Sequence, residues 1–452
     1  MDIEDYVKKC IDKNEGREEI TKKLTGIITF YKDIPNSAAQ QISESVIDEV
    51  LTTQTLTKGN ASELLDYHES SVHMGEFGVG SRGKGDFYVH SKIAEIIKDT
   101  DCDSIVNPVA QDDGGVVKID DKYYITTAID GIHSRLSDYP FLAGFHTARA
   151  TLRDVCVMGA KPVALISDIH LADDGDVSKI LDYTAGICAV SELTNVPLVS
   201  GSTLRVGGDM VLGNRLVGAV GAVGCSEKLP KARVNAKYGD LILMTEGSGG
   251  GTITTTSLYN NYPEVVEETL NVQFIDACKL LNEYPEEEYI HAMTDITNGG
   301  INGDANEINK TTELGIRLVY DRIKNLINPH VYSMLDELDI DPLGVSIDSL
   351  MIIVDPRVKD EIIDLLTKNN IKTDVIGEIT ETSKTEIEYP DGTLKTLTPS
   401  FREAAYTPVK KVIDQITEDN YDKQSKKIDM ATIKAIDKKN KIVRKIRSKY
   451  EH

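Results

Sequence analysis

The sequence predicts an α+β protein whose strands and helices pack as layers. Three observations lead there. Short β-like runs at 104–110, 115–119 and 123–129 follow one another and then mix with long helical stretches, without strict βαβ alternation. A charged patch at 228–240, KLPKARVNAKYGD, separates two such patterns and reads as a domain junction. Both ends of the chain carry helical periodicity and no strand signal. The expected organisation is a helical N-terminal extension at 1–70, a first domain at 71–228, a second at 229–405 and a basic helical tail at 406–452.

Each element has its own warrant. Ile20, Leu24, Ile27 and Ile28 share one helical face, Pro35 interrupts the pattern, and Ser37 is placed to cap a further helix carrying Ile42, Val46 and Val50. Residues 74–86, MGEFGVGSRGKGD, form a glycine-dense loop before a helix with Ile93, Ile96 and Ile97. A helix over 142–159, a strand at 162–171, a helix at 177–193 and an apolar strand at 216–224 complete the first half. The second half reads as a strand at 241–247, a helix near 263–282, a strand near 290–294 and a helix at 299–309. Strands near 315–319 and 345–354 follow, then a helix at 357–368.

Composition excludes several classes. The chain has 452 residues, 40% of them hydrophobic, enough for a sizeable core and, as a prior, two or three domains. A net charge of −23 argues against nucleic-acid and anionic-membrane partners. From Val409 onward 13 Lys or Arg face seven Asp or Glu, so this tail is +6 and the remainder −29. Such a tail suits docking on the acidic body or on an acidic partner. The six cysteines, Cys102 among them, are scattered without a CxxC, which gives neither a disulfide framework nor a zinc pattern. No apolar run reaches ~18 residues, and MDIEDYVKKCIDKNEG lacks the apolar core of a signal peptide. A reducing cytoplasm is the expected location.

Three groups of residues carry candidate chemistry. Gly78, Gly80 and Gly83 match the spacing of a dinucleotide fingerprint, but no strand precedes them, and the near P-loop Gly78-x4-Gly83-Lys84 has Gly85 where a magnesium-binding hydroxyl belongs. What remains is a loop whose backbone N–H groups suit an anion, with Arg82 and Lys84 supplying charge. A plain surface loop is the equal alternative. The second group is a set of acids at strand ends and on an apolar helix: Asp112 and Asp113 in a turn, Asp130 at the end of a strand, and Asp154 among Val155, Val157 and Met158. Magnesium takes hard oxygen ligands, one or two carboxylates plus phosphate oxygens. A salt bridge from Asp154 to Arg149 or Arg153 is the ordinary alternative. Asp168 and His170 sit on one face of their strand. The third group is His291-Ala-Met-Thr-Asp295-Ile-Thr297-Asn298-Gly299-Gly300, a strand running into a helix start that Thr297 or Asn298 would cap and that suits phosphate.

In this order the stretches resemble the superfamily of aminoimidazole-ribonucleotide synthetase, which includes selenophosphate synthetase, thiamine-monophosphate kinase and HypE-type hydrogenase maturation proteins. Arg153-Asp154 to Met158-Gly159-Ala160-Lys161-Pro162 resembles the "ND-x-x-x-MGA-x-P" helix, Asp130-Gly131-Ile132-His133-Ser134-Arg135 the "DGVGTK" segment, and Asp112-Asp113-Gly114-Gly115 the "DDAAV" of the kinases. Met293-Thr294-Asp295-Ile296-Thr297 with Gly299-Gly300 resembles the "D-x-T-x-GG" of the second domain, and the likeness runs from about Gly75 to Ser383.

The resemblance implies a PurM-like fold of two α+β domains, the first forming a homodimer through its sheet, with ATP in the cleft. It implies that Asp112, Asp113, Asp130 and Asp154 hold Mg2+ and nucleotide phosphates, that Asp295 completes the site, and that the loop Gly78–Gly85 closes over them with Lys84 steadying phosphate. His133 is a candidate proton carrier, against a plain surface histidine. The expected activity is ATP-dependent phosphoryl transfer to a small molecule or to a carbonyl or amide oxygen, of the HypE and selenophosphate-synthetase kind. The alternative is a nucleotide-binding scaffold without turnover that docks a partner through its basic tail. The chain departs from the pattern at Arg153, where relatives have Asn, and at Gly201-Ser202-Thr203, where they have "GGDT" or "GGET". It has no cysteine in the glycine loop and no terminal cysteine.

Overall fold

The computed structural model describes residues 1–450 except 58, 60, 61, 82, 101–103, 298 and 417–419. Arg82, Cys102 and Asn298 therefore lie outside the described residues. Two mixed sheets lie on either side of the 228–240 patch. The first comprises β1 (Ser104–Val106), β2 (Gly115–Lys118), β3 (Tyr124–Gly131), β4 (Lys161–Leu171), β5 (Leu198–Arg205) and β6 (Leu216–Ser226), in the order β1-β2-β3-β6-β4-β5. Only the β4–β5 pair is parallel. The second comprises β7 (Leu241–Thr245), β8 (Ile290–Ile296), β9 (Gly315–Val319), β10 (Ser349–Val354), β11 (Thr373–Thr380), β12 (Thr385–Glu388) and β13 (Leu394–Thr396). Their order is β13-β12-β9-β11-β7-β10-β8, parallel only between β12 and β9.

Helix Pro140–Val157 joins the two halves. One core holds its Leu152 and Val155 together with Leu165 and Val220 of the first sheet and Met293, Leu350 and Ile352 of the second. Thirteen of its eighteen residues are buried, polar ones among them. Arg149 and Arg153 are carried into the interior with it, at 2% and 7% exposure, so both need partners there. The opposite face of the second sheet has its own core, with Met244, Met351 and Ile353 packed on Ile301, Ile308 and Leu335.

The N-terminal helices Ile3–Asp12, Arg17–Tyr31 and Asn36–Gln54 close a separate small core on Leu212. Ser37 lies inside the third helix rather than capping it; Pro35 holds the N-cap position, and no side chain caps that end. The sequence reading also left out helix Gly251–Asn260, helix Pro329–Glu337 and strands β5, β11, β12 and β13. The segment expected as one helix near 263–282 is two, Glu264–Glu268 and Gln273–Asn282. No helix among the described residues is long and apolar enough to cross a membrane.

Candidate functional site

One cavity of about 150 Å³ lies where the two halves meet. Asp112 and Asp113 enter it from the turn before β2, Asp130 from the end of β3, Asp154 from helix Pro140–Val157, and Asp295 and Thr297 from the end of β8. Five acids separated by up to 183 positions, from Asp112 to Asp295, thus share one lining. Sequence reasoning missed Asp304, Glu307 and Asp348, and gave no site role to Arg149, Arg153 and Arg233, all of which also line it. Their signals were weak: two arginines four residues apart on an apolar helix, one arginine inside the junction patch, and an acid pair at i, i+3 on helix Gly300–Thr312.

The arginines decide which acids stay available. Arg153 is ion-paired with both Asp295 and Asp348, while Arg149 pairs with Asp348 and donates to the carbonyls of Gly249, Thr269 and Asn271. Burial alone would raise the Asp348 carboxyl; the two guanidiniums overcome it and hold Asp348 below the ordinary carboxylate range. Arg233 donates to Asp113 Oδ1 at 2.6 Å and to Thr294 Oγ1 at 2.7 Å, and lies 3.2 Å from Glu307. Asp154 is only loosely joined to Arg153, at 3.8 Å. Burial, with the charges of Asp130 and Asp295 added, pushes its carboxyl well above the ordinary value. Burial likewise raises Asp112 and Asp304 and takes Asp113 up to about 7.

The eight acids of the lining against three arginines leave a formal excess of five negative charges. Asp112 Oδ1, Asp113 Oδ2 and Asp304 Oδ2 are buried with no hydrogen-bond partner. Orphaned carboxylate oxygens in such a field fit a divalent cation. Among the described residues, however, no group of three or more His, Cys, Asp or Glu side chains stands at metal-binding spacing. Arg233 and Arg153 hold Asp113 and Asp295 in ion pairs, and the acids of the lining fit a magnesium that takes its other ligands from phosphate and water.

Other expected site residues fall elsewhere. Lys84 lines an adjoining pocket of about 440 Å³ that meets the acid cavity at Gln111 and Glu307. Its backbone N–H donates to the Ser400 carbonyl at 2.9 Å, and that of Gly80 to Asp86 Oδ1 at 2.9 Å, so these two donors of the glycine loop already have protein acceptors. Gly83 has to be glycine, because a side chain there would overlap the Phe401 carbonyl. Gly78 adopts the left-handed conformation that closes the short helix Met74–Phe77. Thr297 does not cap helix Gly300–Thr312: its hydroxyl donates to Asp295 Oδ1 at 3.3 Å, and Gly299, at φ 90°, occupies the cap position.

His133 lines the cavity and is no surface residue. Its Nε2 meets the Tyr406 hydroxyl at 3.0 Å and its Nδ1 the Thr255 hydroxyl at 2.9 Å. Burial, helped by Lys410 and Arg135, lowers it to about 4, so it is a neutral tie between elements near pH 7 and a poor proton carrier. Asp168 and His170 pair with each other at 2.9 Å on the outer face of β4. Ser202, aligned with Asp168 on β5, is likewise outside the cavity lining.

Family models describe both halves of this arrangement: "AIR synthase related protein, N-terminal domain" matches residues 111–224 and "AIR synthase related protein, C-terminal domain" residues 237–390. The chain is 50% identical over 449 residues to the Methanocaldococcus jannaschii "Uncharacterized protein MJ1416", covering 98% of each. It is 26% identical over 305 residues to the phosphoribosylformylglycinamidine synthase subunit PurL of Picrophilus torridus, of whose length it spans only 39%. A crystal structure of the hydrogenase maturation protein HypE in complex with ATP superposes with a TM-score of 0.52 at 17% identity, over 77% of this chain and 97% of that one. This chain belongs to the AIR synthase related family and has the PurM-like fold.

Proposed function

We propose that the acid cavity binds the phosphates of ATP with Mg2+, and that the protein transfers a phosphoryl group to a small molecule or to a carbonyl or amide oxygen. The observation that carries this reading is the convergence of Asp112, Asp113, Asp130 and Asp154 on one lining with orphaned buried carboxylate oxygens. The HypE structure of the same fold holds ATP, which supports the ligand class. Asp112, Asp113, Asp130 and Asp154 would hold the metal, which neutralises phosphate charge when bound. Asp295, held by Arg153, and Thr297 join the same lining from the second sheet. The rest of the nucleotide has room in the adjoining pocket beside Lys84, Phe87 and Tyr88. The homodimer belongs to the same reading: Ile129, Ile166 and Leu204 stand 70%, 40% and 57% exposed on the first sheet, an apolar face suited to a second copy.

The test is Asp154→Asn. Mg2+-dependent ATP binding by calorimetry should weaken at least about tenfold, with the fold intact by circular dichroism. Unchanged binding and hydrolysis would sink the site. A second reading, a scaffold that binds nucleotide without turnover, is favoured by the arginine pairing of Asp295 and Asp348. Tight ATP binding with no magnesium-dependent consumption, alone or with cell extract, would select it.

A further inference from the structure

The C-terminal tail lies beyond the segments matched by the family models, yet it grips the glycine loop. The Tyr421 ring stacks on Phe77 with centroids 5.7 Å apart and planes 8° from parallel, and meets Tyr88 edge-on at 5.6 Å. Gln424 Nε2 donates to Glu76 Oε1 at 2.5 Å, and Arg402 donates to the carbonyl of Glu76 at 2.8 Å. Tyr88 donates to Asp429 at 2.5 Å, which keeps helix Tyr421–Tyr450 beside helix Lys84–Ile97. Most telling is the Lys84 ammonium. It sits 4.0 Å from the centre of the Tyr421 ring, in the pocket next to the acid cavity rather than among the carboxylates.

We propose that Tyr421 is an autoinhibitory latch: its ring holds Lys84 outside the acid cavity, and loosening of the C-terminal helix releases the ammonium to a phosphate there. This rests on the nucleotide reading above. The ring face attracts the ammonium, and a phosphate in the cavity competes for the same group. While the ring holds it, the ammonium stays in the adjoining pocket. Whatever affinity a Lys84–phosphate contact gives is therefore reduced by the hold of the ring, as for any ligand that selects the less populated of two states. The basic helix becomes a handle, because a partner that draws it away also frees Lys84.

The experiment is Mg2+–ATP titration by calorimetry on the full chain at fixed salt. Tyr421→Leu keeps apolar bulk without a ring face and should bind about three- to tenfold tighter. Tyr421→Phe keeps the ring and should match the parent. Adding Lys84→Ala to Tyr421→Leu should abolish the gain. Equal or weaker binding by Tyr421→Leu, with the parent binding normally, overturns the latch and leaves the nucleotide site standing. Absence of binding in every protein, the parent included, overturns both. If Tyr421→Leu fails to fold, Gln424→Ala, which loosens the helix from Glu76 and leaves the ring in place, must shift affinity in the same direction, and no gain from it rejects the latch.

Discussion

β10 in the second sheet is buried at every residue from Ser349 to Val354, whereas β5 at the edge of the first is exposed at seven of eight. The alternation of side chains explains the difference. Leu350, Ile352 and Val354 enter the core shared with helix Pro140–Val157, and Met351 and Ile353 enter the core on the other face. In β4, Leu165, Ile169 and Leu171 face that shared core, while Ile166 and Asp168 are exposed on the other side. The second sheet is complete within one chain. The first presents an apolar face that a single chain leaves uncovered, and the acid cavity lies at the seam between them.

The contrast breaks most severely at that seam. Arg153→Ala leaves Asp295 and Asp348 buried without their shared cation and should cost about 3–5 kcal/mol in urea unfolding; a loss under about 1 kcal/mol would mean that the guanidinium does not join the halves. Next, Ile352→Ala should cost about 2–5 kcal/mol, because its surroundings on both sides are packed. Ile166→Asp, by contrast, should change the fold stability of a single chain by no more than about 0.5 kcal/mol yet lower the mass seen in sedimentation from two chains to one. A parent protein that is already monomeric removes the homodimer.

A further effect is one of pH. The Asp113 carboxyl is raised by burial to about 7, so the folded chain binds a proton there that the unfolded chain releases near 4. That contribution to stability is fully present below pH ~4 and is lost as pH rises through about 7. Asp113→Asn should flatten the decline in melting temperature between pH 5 and 8. In the parent, added Mg2+ should raise the melting temperature more at pH 8 than at pH 5.5, because only the ionised acid is a ligand. An equal shift at both values would separate Asp113 from the metal.

Local sequence determined a good deal of this molecule. Glycine spacing marked the loop at Gly78–Gly85, the charged patch at 228–240 lies between the strands of the two sheets in sequence, and apolar runs marked helix Pro140–Val157 and strands β4, β6 and β7. The buried-carboxylate argument for Asp154 needed only its apolar neighbours, because an acid on such a face is costly wherever the helix packs. Tertiary structure alone decided which charges meet. Arg153 reaches Asp348 across 195 positions, Arg233 reaches Asp113 across 120, and Lys84 finds Tyr421 far along the chain. Propensity and periodicity extend over a few turns, whereas ion pairing inside a protein depends on distances that only the packed layers set. For the same reason His133 became a neutral tie between Tyr406 and Thr255, and the converging aspartates share their cavity with arginines.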